Sequence, residues 1–110
     1  MEMKAAECLE KVKVRPEMFV FPFNLQTLSC FLSGFTLGYL AKTDLEFSDK
    51  IPVWKYVVEK RGWKVNSLGI EKEMREKGKS EKEILEETLQ IEIEVWKILE
   101  SKDFRVWKSN

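Results

Sequence analysis

The sequence predicts an all-α fold, a compact bundle of four to five helices in a single domain of residues 1–110. Apolar residues recur at steps of three and four along most of the chain, which is the spacing of an amphipathic helix. Capping residues, such as Asn24 and Ser80, stand directly before two of these runs. With 110 residues, of which 44% are hydrophobic and 12% aromatic, the chain suits one core that needs no disulfide or metal for its stability.

Residues 3–13 are expected to form a first helix that ends by Arg15, because a residue before proline disfavours the helical region. The "EMFVFPF" segment that follows is predicted to be an extended connector with alternating phenylalanines. We interpret Arg15, Pro16 and Met18 as a chain reversal with a buried methionine. The inward positions of the first helix are Ala5, Cys8, Leu9 and Val12.

The second helix lies in a segment from Met18 to Ala41 that carries no charge, in a chain that is 35% charged. Pro22 and the capping residue Asn24 place its start just after Asn24, and it is expected to end near Ala41 or Lys42. Such a helix is short for a membrane span and polar on one side, so we interpret it as the central buried helix. Its apolar stripe consists of Leu25, Leu28, Leu32, Phe35 and Tyr39.

Cys30, Gly34 and Gly38 follow one another at a spacing of four on this helix. Small side chains at that spacing allow another helix to approach closely. No phosphate-binding motif precedes the helix, so close helix packing is favoured over a cofactor slot.

A third helix is predicted between a cap at Ser48 or Asp49 and Gly62, with Pro52 in its first turn. Trp63, in the turn that follows, is expected to fill the core. The inward face comprises Trp54, Val57 and Val58, and the outward face comprises Lys55, Glu59 and Lys60.

The segment "SLGIEKEMREKG" is predicted to form a short helix that ends at Gly78. A long helix then begins after Ser80, which stands at capping-box spacing from Glu83. The "IEIEV" segment alternates as a strand does, but strong helix formers on both sides favour a helix. The tail from Phe104 to Trp107 is expected to fold back onto the core. The inward residues of the long helix are Ile84, Leu85, Thr88, Leu89, Ile91, Val95, Trp96 and Leu99.

The composition argues against several function classes. Nineteen basic residues balance nineteen acidic ones, which disfavours direct binding of nucleic acid. Without any histidine, the commonest general base and metal ligand is absent, and neither Cys8 nor Cys30 has an activating partner. The N-terminus lacks the apolar region of a secretory signal, so we expect reduced thiols in a cytoplasmic protein. We therefore predict no enzyme, metal, cofactor or membrane segment.

One segment indicates a partner. Residues 81–100 hold seven glutamates and two lysines. These residues could form a solvated helix face, or an acidic surface that steers onto a basic protein. Alternatively, an acid/base pair could be drawn from three of the glutamates and a nearby aspartate, namely Glu83, Glu87, Glu94 and Asp103. The candidate partner-binding residues are Glu81, Glu83, Glu86, Glu87 and Glu94.

The order of four segments resembles a family of small bacterial immunity proteins from polymorphic-toxin and contact-dependent growth inhibition systems. The matching segments are "RPEMF" at 15–19, "LQTLSCFLSGFTLGYL" at 25–40, "IPVWKYV" at 51–57 and "GW" at 62–63. Glu17 stands where the family usually has glycine. The resemblance implies a cytoplasmic protein that binds a cognate toxin domain, often a nuclease, and blocks it.

Two other functions stay open at this point. The chain could be a structural or regulatory subunit whose apolar helix face associates with a larger protein or with a second copy. It could also be a carboxylate-dependent hydrolase.

Overall fold

A computed structural model describes residues 4–64, 69–101 and 103–104. Within these ranges the chain forms five α-helices and no strand, which confirms the predicted all-α fold. The helices are α1 (Ala5–Val14), α2 (Leu25–Leu40), α3 (Phe47–Lys60), α4 (Glu71–Glu76) and α5 (Glu81–Leu99), with a 3-10 turn at Pro16–Met18 between α1 and α2.

Helix α5 lies at the centre of the bundle. Nine of its side chains are buried, and both α1 and α3 pack along it. Its Ser80–Glu83 capping box is present as predicted, with Ser80 N donating to Glu83 Oε1 at 2.9 Å and Glu83 N donating to Ser80 Oγ at 3.2 Å. The "IEIEV" segment is helical, because Ile91, Ile93 and Val95 all fit the core surrounding this helix.

Helices α1 and α5 run antiparallel. Lys13, near the end of α1, donates to Gln90 Oε1 at 2.5 Å, whereas the start of α1 meets the end of α5. There the Glu100 carboxylate accepts the free backbone N–H groups of Ala5 and Ala6, at 2.8 and 3.0 Å. No side chain of its own caps α1, so this distant carboxylate satisfies the helix start.

The prediction that α2 is the central buried helix is wrong. Only Leu28, Leu32 and Thr36 are buried in it, and its aromatic side chains reach the core from one side. Phe35 and Tyr39 contact Trp96 of α5, with ring centroids 6.2 and 5.8 Å apart. The start of α2 is as predicted, since Asn24 and Thr27 form a capping box.

The expected close approach of another helix at Cys30, Gly34 and Gly38 is also wrong within the described chain. All three residues are exposed, and a Cβ atom added at Gly34 or Gly38 would meet nothing within 4 Å. The apolar stripe holds α2 against the core, so its small and uncharged opposite face is left to solvent.

The connector between α1 and α2 corrects a further expectation. Met18 is exposed rather than buried, and the connector enters the core through Val20. The predicted chain reversal at Arg15 to Met18 is present as a 3-10 turn over Pro16–Met18, because the N–H groups of Phe19 and Val20 both donate to Pro16 O, at 3.1 and 2.8 Å. Glu17 and Met18, the start of the segment predicted to be extended, therefore belong to this turn.

The third helix starts earlier than predicted. Glu46 is its N-cap, and Asp49 lies at the third helical position, where its carboxylate accepts the Glu46 backbone N–H at 2.8 Å. Trp63 is buried, as expected. Phe104 packs against the core, whereas the rest of the predicted tail and the start of the segment preceding α4 lie outside the described residues.

Candidate partner-binding surface

A groove of about 800 Å³ runs between the end of α1 and the first half of α5. It lies beside the turn that the chain makes at Pro16–Met18. We call it the α1–α5 groove. Its lining residues are Lys13, Val14, Pro16, Glu17, Phe23, Glu81, Lys82, Leu85, Glu86 and Leu89.

The groove has an apolar floor and a charged rim. The accessible apolar surface of the floor comes from Val14, Pro16 and Phe23, because Leu85 and Leu89, which also line the groove, are only 3% and 1% exposed. The charges of the rim are of both signs, and the amino group of Lys13 is held by Gln90. A dry apolar centre enclosed by polar residues is the usual anatomy of a protein–protein interface.

The end of α1 and the connector next to this groove expose four large apolar side chains. The exposed fractions are 78% for Val14, 70% for Met18, 52% for Phe19 and 86% for Phe21. The sequence pattern placed Phe19 and Phe21 in a connector and Met18 in the core, and it did not predict this surface. The available signal was a run of aromatic residues in a segment that proline keeps from being helical.

The predicted acidic residues do not form one free surface. Glu87 binds the Arg61 guanidinium through both oxygens, with Nε–Oε2 and Nη2–Oε1 each 2.7 Å, and also accepts the indole N–H of Trp63 at 2.9 Å. Glu94 pairs with Nη1 of the same arginine. The hydrogen bond from Arg61 lowers the pKa of the Glu87 carboxyl group. The same hydrogen bond raises the pKa of the Arg61 guanidinium.

Two other predicted carboxylates also have partners within the chain. Glu81 pairs with Arg75 at 2.7 Å, and Glu83 caps the start of α5. The backbone N–H of Ser80 lowers the pKa of Glu83. Among the described residues, Glu86 is the predicted carboxylate that forms no hydrogen bond or ion pair, and it lies on the rim of the groove.

These pairs reduce the negative charge of the acidic segment. Three cations from outside residues 81–100, namely Lys50, Arg61 and Arg75, contact four of its seven glutamates. The local excess of five negative charges therefore falls to two. Acidic steering of a basic partner is weaker than the sequence alone suggested.

A nearly buried ion pair joins α3 to α5 and was not predicted. Lys50 Nζ lies 3.0 Å from Glu92 Oε2, and the two side chains are only 13% and 10% exposed. Lys50 also donates to Thr36 Oγ1 of α2 at 3.0 Å. The pair thus links three helices, and it lies in the interior rather than on a binding surface.

Three properties of the described residues concern metal ions, disulfides and membrane spans. No three His, Cys, Asp or Glu side chains among the described residues are grouped to hold a metal ion. Cys8 and Cys30 are free thiols, and Cys8 Sγ lies 3.0 Å from the hydroxyl of Tyr39. Nor does any described helix combine the length and apolar composition needed to cross a membrane.

No protein-family model, curated protein or solved structure matches this chain.

Proposed function

We propose that this chain is an immunity protein, which binds one toxin domain of the same bacterium in the cytoplasm and blocks it. The observation that carries this proposal is the α1–α5 groove with its apolar floor and charged rim. The order of motifs that resembles immunity proteins gives the class of partner.

The groove offers what an inhibitor needs on its contact face. Side chains of a partner that enter it are desolvated against Val14, Pro16 and Phe23. Phe23 packs against the core, so it loses little side-chain entropy when a partner binds.

The rim gives the partner its orientation. Glu17 and Glu86 are exposed carboxylates on the groove, and each can pair with a basic residue of the toxin. A nuclease is the toxin class we propose, because its substrate surface is basic. Rim charges change mainly the association rate and its salt dependence, so the affinity has to come from the apolar floor and its neighbours.

The carboxylates with shifted pKa values are not those expected of a general acid. Where the pKa of a described glutamate is shifted, it is lowered: by backbone N–H groups for Glu73 and Glu83, and by Arg61 for Glu87. A general acid needs a raised pKa to hold its proton near neutral pH. Stabilised carboxylates of this kind serve as caps and ion-pair partners.

The alternative is a small subunit that associates through a helix face. The exposed face of α2 favours it, since that face carries Leu37 and no charged residue. Light scattering on the purified chain separates the two proposals, because a subunit of this kind elutes as an oligomer by itself.

The experiment that tests the immunity proposal is titration calorimetry with the C-terminal domain encoded by the neighbouring gene. We expect one-to-one binding and loss of that domain's toxicity. In stopped-flow mixing at low salt, a double Glu17→Arg, Glu86→Arg variant should associate more slowly, whereas Glu59→Arg, on α3 outside the groove, should not. Absence of binding by the natural chain would overturn the proposal.

A further inference from the structure

We propose that the end of α1 and the connector, and not the acidic helix, supply the main anchors of the complex: Val14, Met18, Phe19 and Phe21 insert into an apolar cleft of the toxin domain. This inference rests on the proposed function and assigns the residues that carry its affinity. The cleft would have a basic edge, facing Glu17 and Glu86.

The exposed area of these four side chains is comparable to the largest apolar patch of a typical monomer. From their exposed fractions it amounts to roughly 500 Å², within the range of the largest patch on a typical monomer, which is often functional. Aromatic side chains and Met are also the residue types enriched in the centre of interfaces.

The connector is held in place before any partner arrives. Val20 anchors its middle in the core, and the Pro16–Met18 turn fixes its start. At its other end Pro22 O accepts the hydroxyl of Thr27 and, at 3.0 Å, the backbone N–H of Asn24. A loop fixed at three points loses little conformational entropy on binding, so its exposed side chains can act as efficient anchors.

The area and the charges decide which occupant fits. Val14 and three connector residues, Pro16, Glu17 and Phe23, line the groove, so one partner can cover the groove and the exposed side chains together. A symmetric pair of connectors alone would bury only roughly 1,000 Å² in total, below the size of a stable complex.

An anionic membrane is a poorer occupant. The charges nearest the connector are balanced, with Lys13 and Arg15 against Glu17 and Glu86, and the whole chain has no net charge. Binding to an anionic lipid surface depends on an excess of basic residues beside the apolar ones. A folded protein with a complementary cleft matches this balance.

The test is a comparison of Phe21→Ser and Met18→Ser with Phe47→Ser in calorimetry against the toxin domain of the neighbouring gene. Phe47 is 50% exposed and lies on α3, outside the groove, so it is a matched control. We expect Phe21→Ser to weaken binding about thirtyfold or more and Met18→Ser at least tenfold. Phe47→Ser should stay within threefold, and all three variants should unfold cooperatively.

Each other outcome overturns a different statement. Natural affinity in both connector variants would overturn the connector as the anchor and leave the immunity proposal standing. No binding by the natural chain would overturn both. If the natural chain forms dimers in light scattering and Phe21→Ser is monomeric, the surface binds a second copy instead. If the natural chain floats with phosphatidylserine vesicles and Phe21→Ser does not, the surface binds a membrane instead.

Discussion

Arg61 and Glu87 form a two-point ion pair, with Nε–Oε2 and Nη2–Oε1 distances of 2.7 Å each. The same carboxylate accepts the Trp63 indole N–H at 2.9 Å. Glu87 therefore fastens the end of α3 and the following turn to α5. Glu87, which the sequence predicts as a partner-binding residue, thus also has a framework role, because it joins α3 to α5.

Changing Glu87 should cost stability rather than binding alone. We expect Glu87→Gln to lower the free energy of unfolding at neutral pH by roughly 1–2 kcal/mol, because the pair is partly shielded from water and hydrogen-bonded through both oxygens. Urea denaturation measures this difference. Glu86→Gln is the matched control, because the Glu86 carboxylate is next to Glu87 in the sequence and has no partner among the described residues. The Glu86→Gln change should alter the free energy of unfolding by no more than about 0.5 kcal/mol. Equal effects of the two changes would contradict the framework role.

The contribution of Glu87 should depend on pH. Its pKa is lowered in the folded state by the hydrogen bond from Arg61, so its stabilising effect is fully present above the unfolded pKa of about 4.3 and is lost as the pH falls through the folded value. The difference between the natural chain and Glu87→Gln should thus be constant near neutral pH and shrink below about pH 4. Urea denaturation of both proteins from pH 7 to pH 2.5 measures it, and a difference that persists unchanged at the acidic end would argue against the lowered pKa.

Local signals explain which parts of the fold the sequence could predict. Helix α2 starts after Asn24 and helix α5 starts after Ser80, and both starts were predicted correctly. Each start depends only on side chains within three residues of the cap. The all-α fold follows from the same local patterns. The central position of α5 could not be read in this way, because it depends on which helices surround it.

The candidate binding surface was harder to predict, because it too depends on contacts between residues that are distant in the sequence. Whether Glu87 is free depends on Arg61, and whether Met18 is buried depends on the direction in which the connector leaves α1. Charge density marked the acidic segment, but pairing between distant residues decides which charges remain available. Exposure of aromatic residues in the connector depends on the whole bundle.

The Lys50–Glu92 pair should show strong coupling. Glu92→Leu leaves the ammonium group of Lys50 with Thr36 as its neighbour in a nearly buried position, so we expect a loss of about 3–5 kcal/mol in unfolding free energy. Adding Lys50→Met should restore most of that loss, since two apolar side chains of similar size need no solvation there. A double-mutant cycle in urea measures the coupling. Additive effects of the two substitutions would show that the pair does not act as a unit.

The open face of α2 leads to a prediction with an internal control. A Cβ atom at Gly34 meets nothing within 4 Å, so Gly34→Ala should raise the free energy of unfolding by roughly 0.5–1 kcal/mol through better helix propensity. Gly78→Ala meets equally open space, but Gly78 has φ of +84°, where an L side chain is strained, so that variant should lose about 1 kcal/mol or more. Thermal and urea unfolding of both variants measure the contrast. A Gly34→Ala variant that keeps its helicity and yet loses stability would mean that another chain packs on this face of α2, which would favour the subunit alternative.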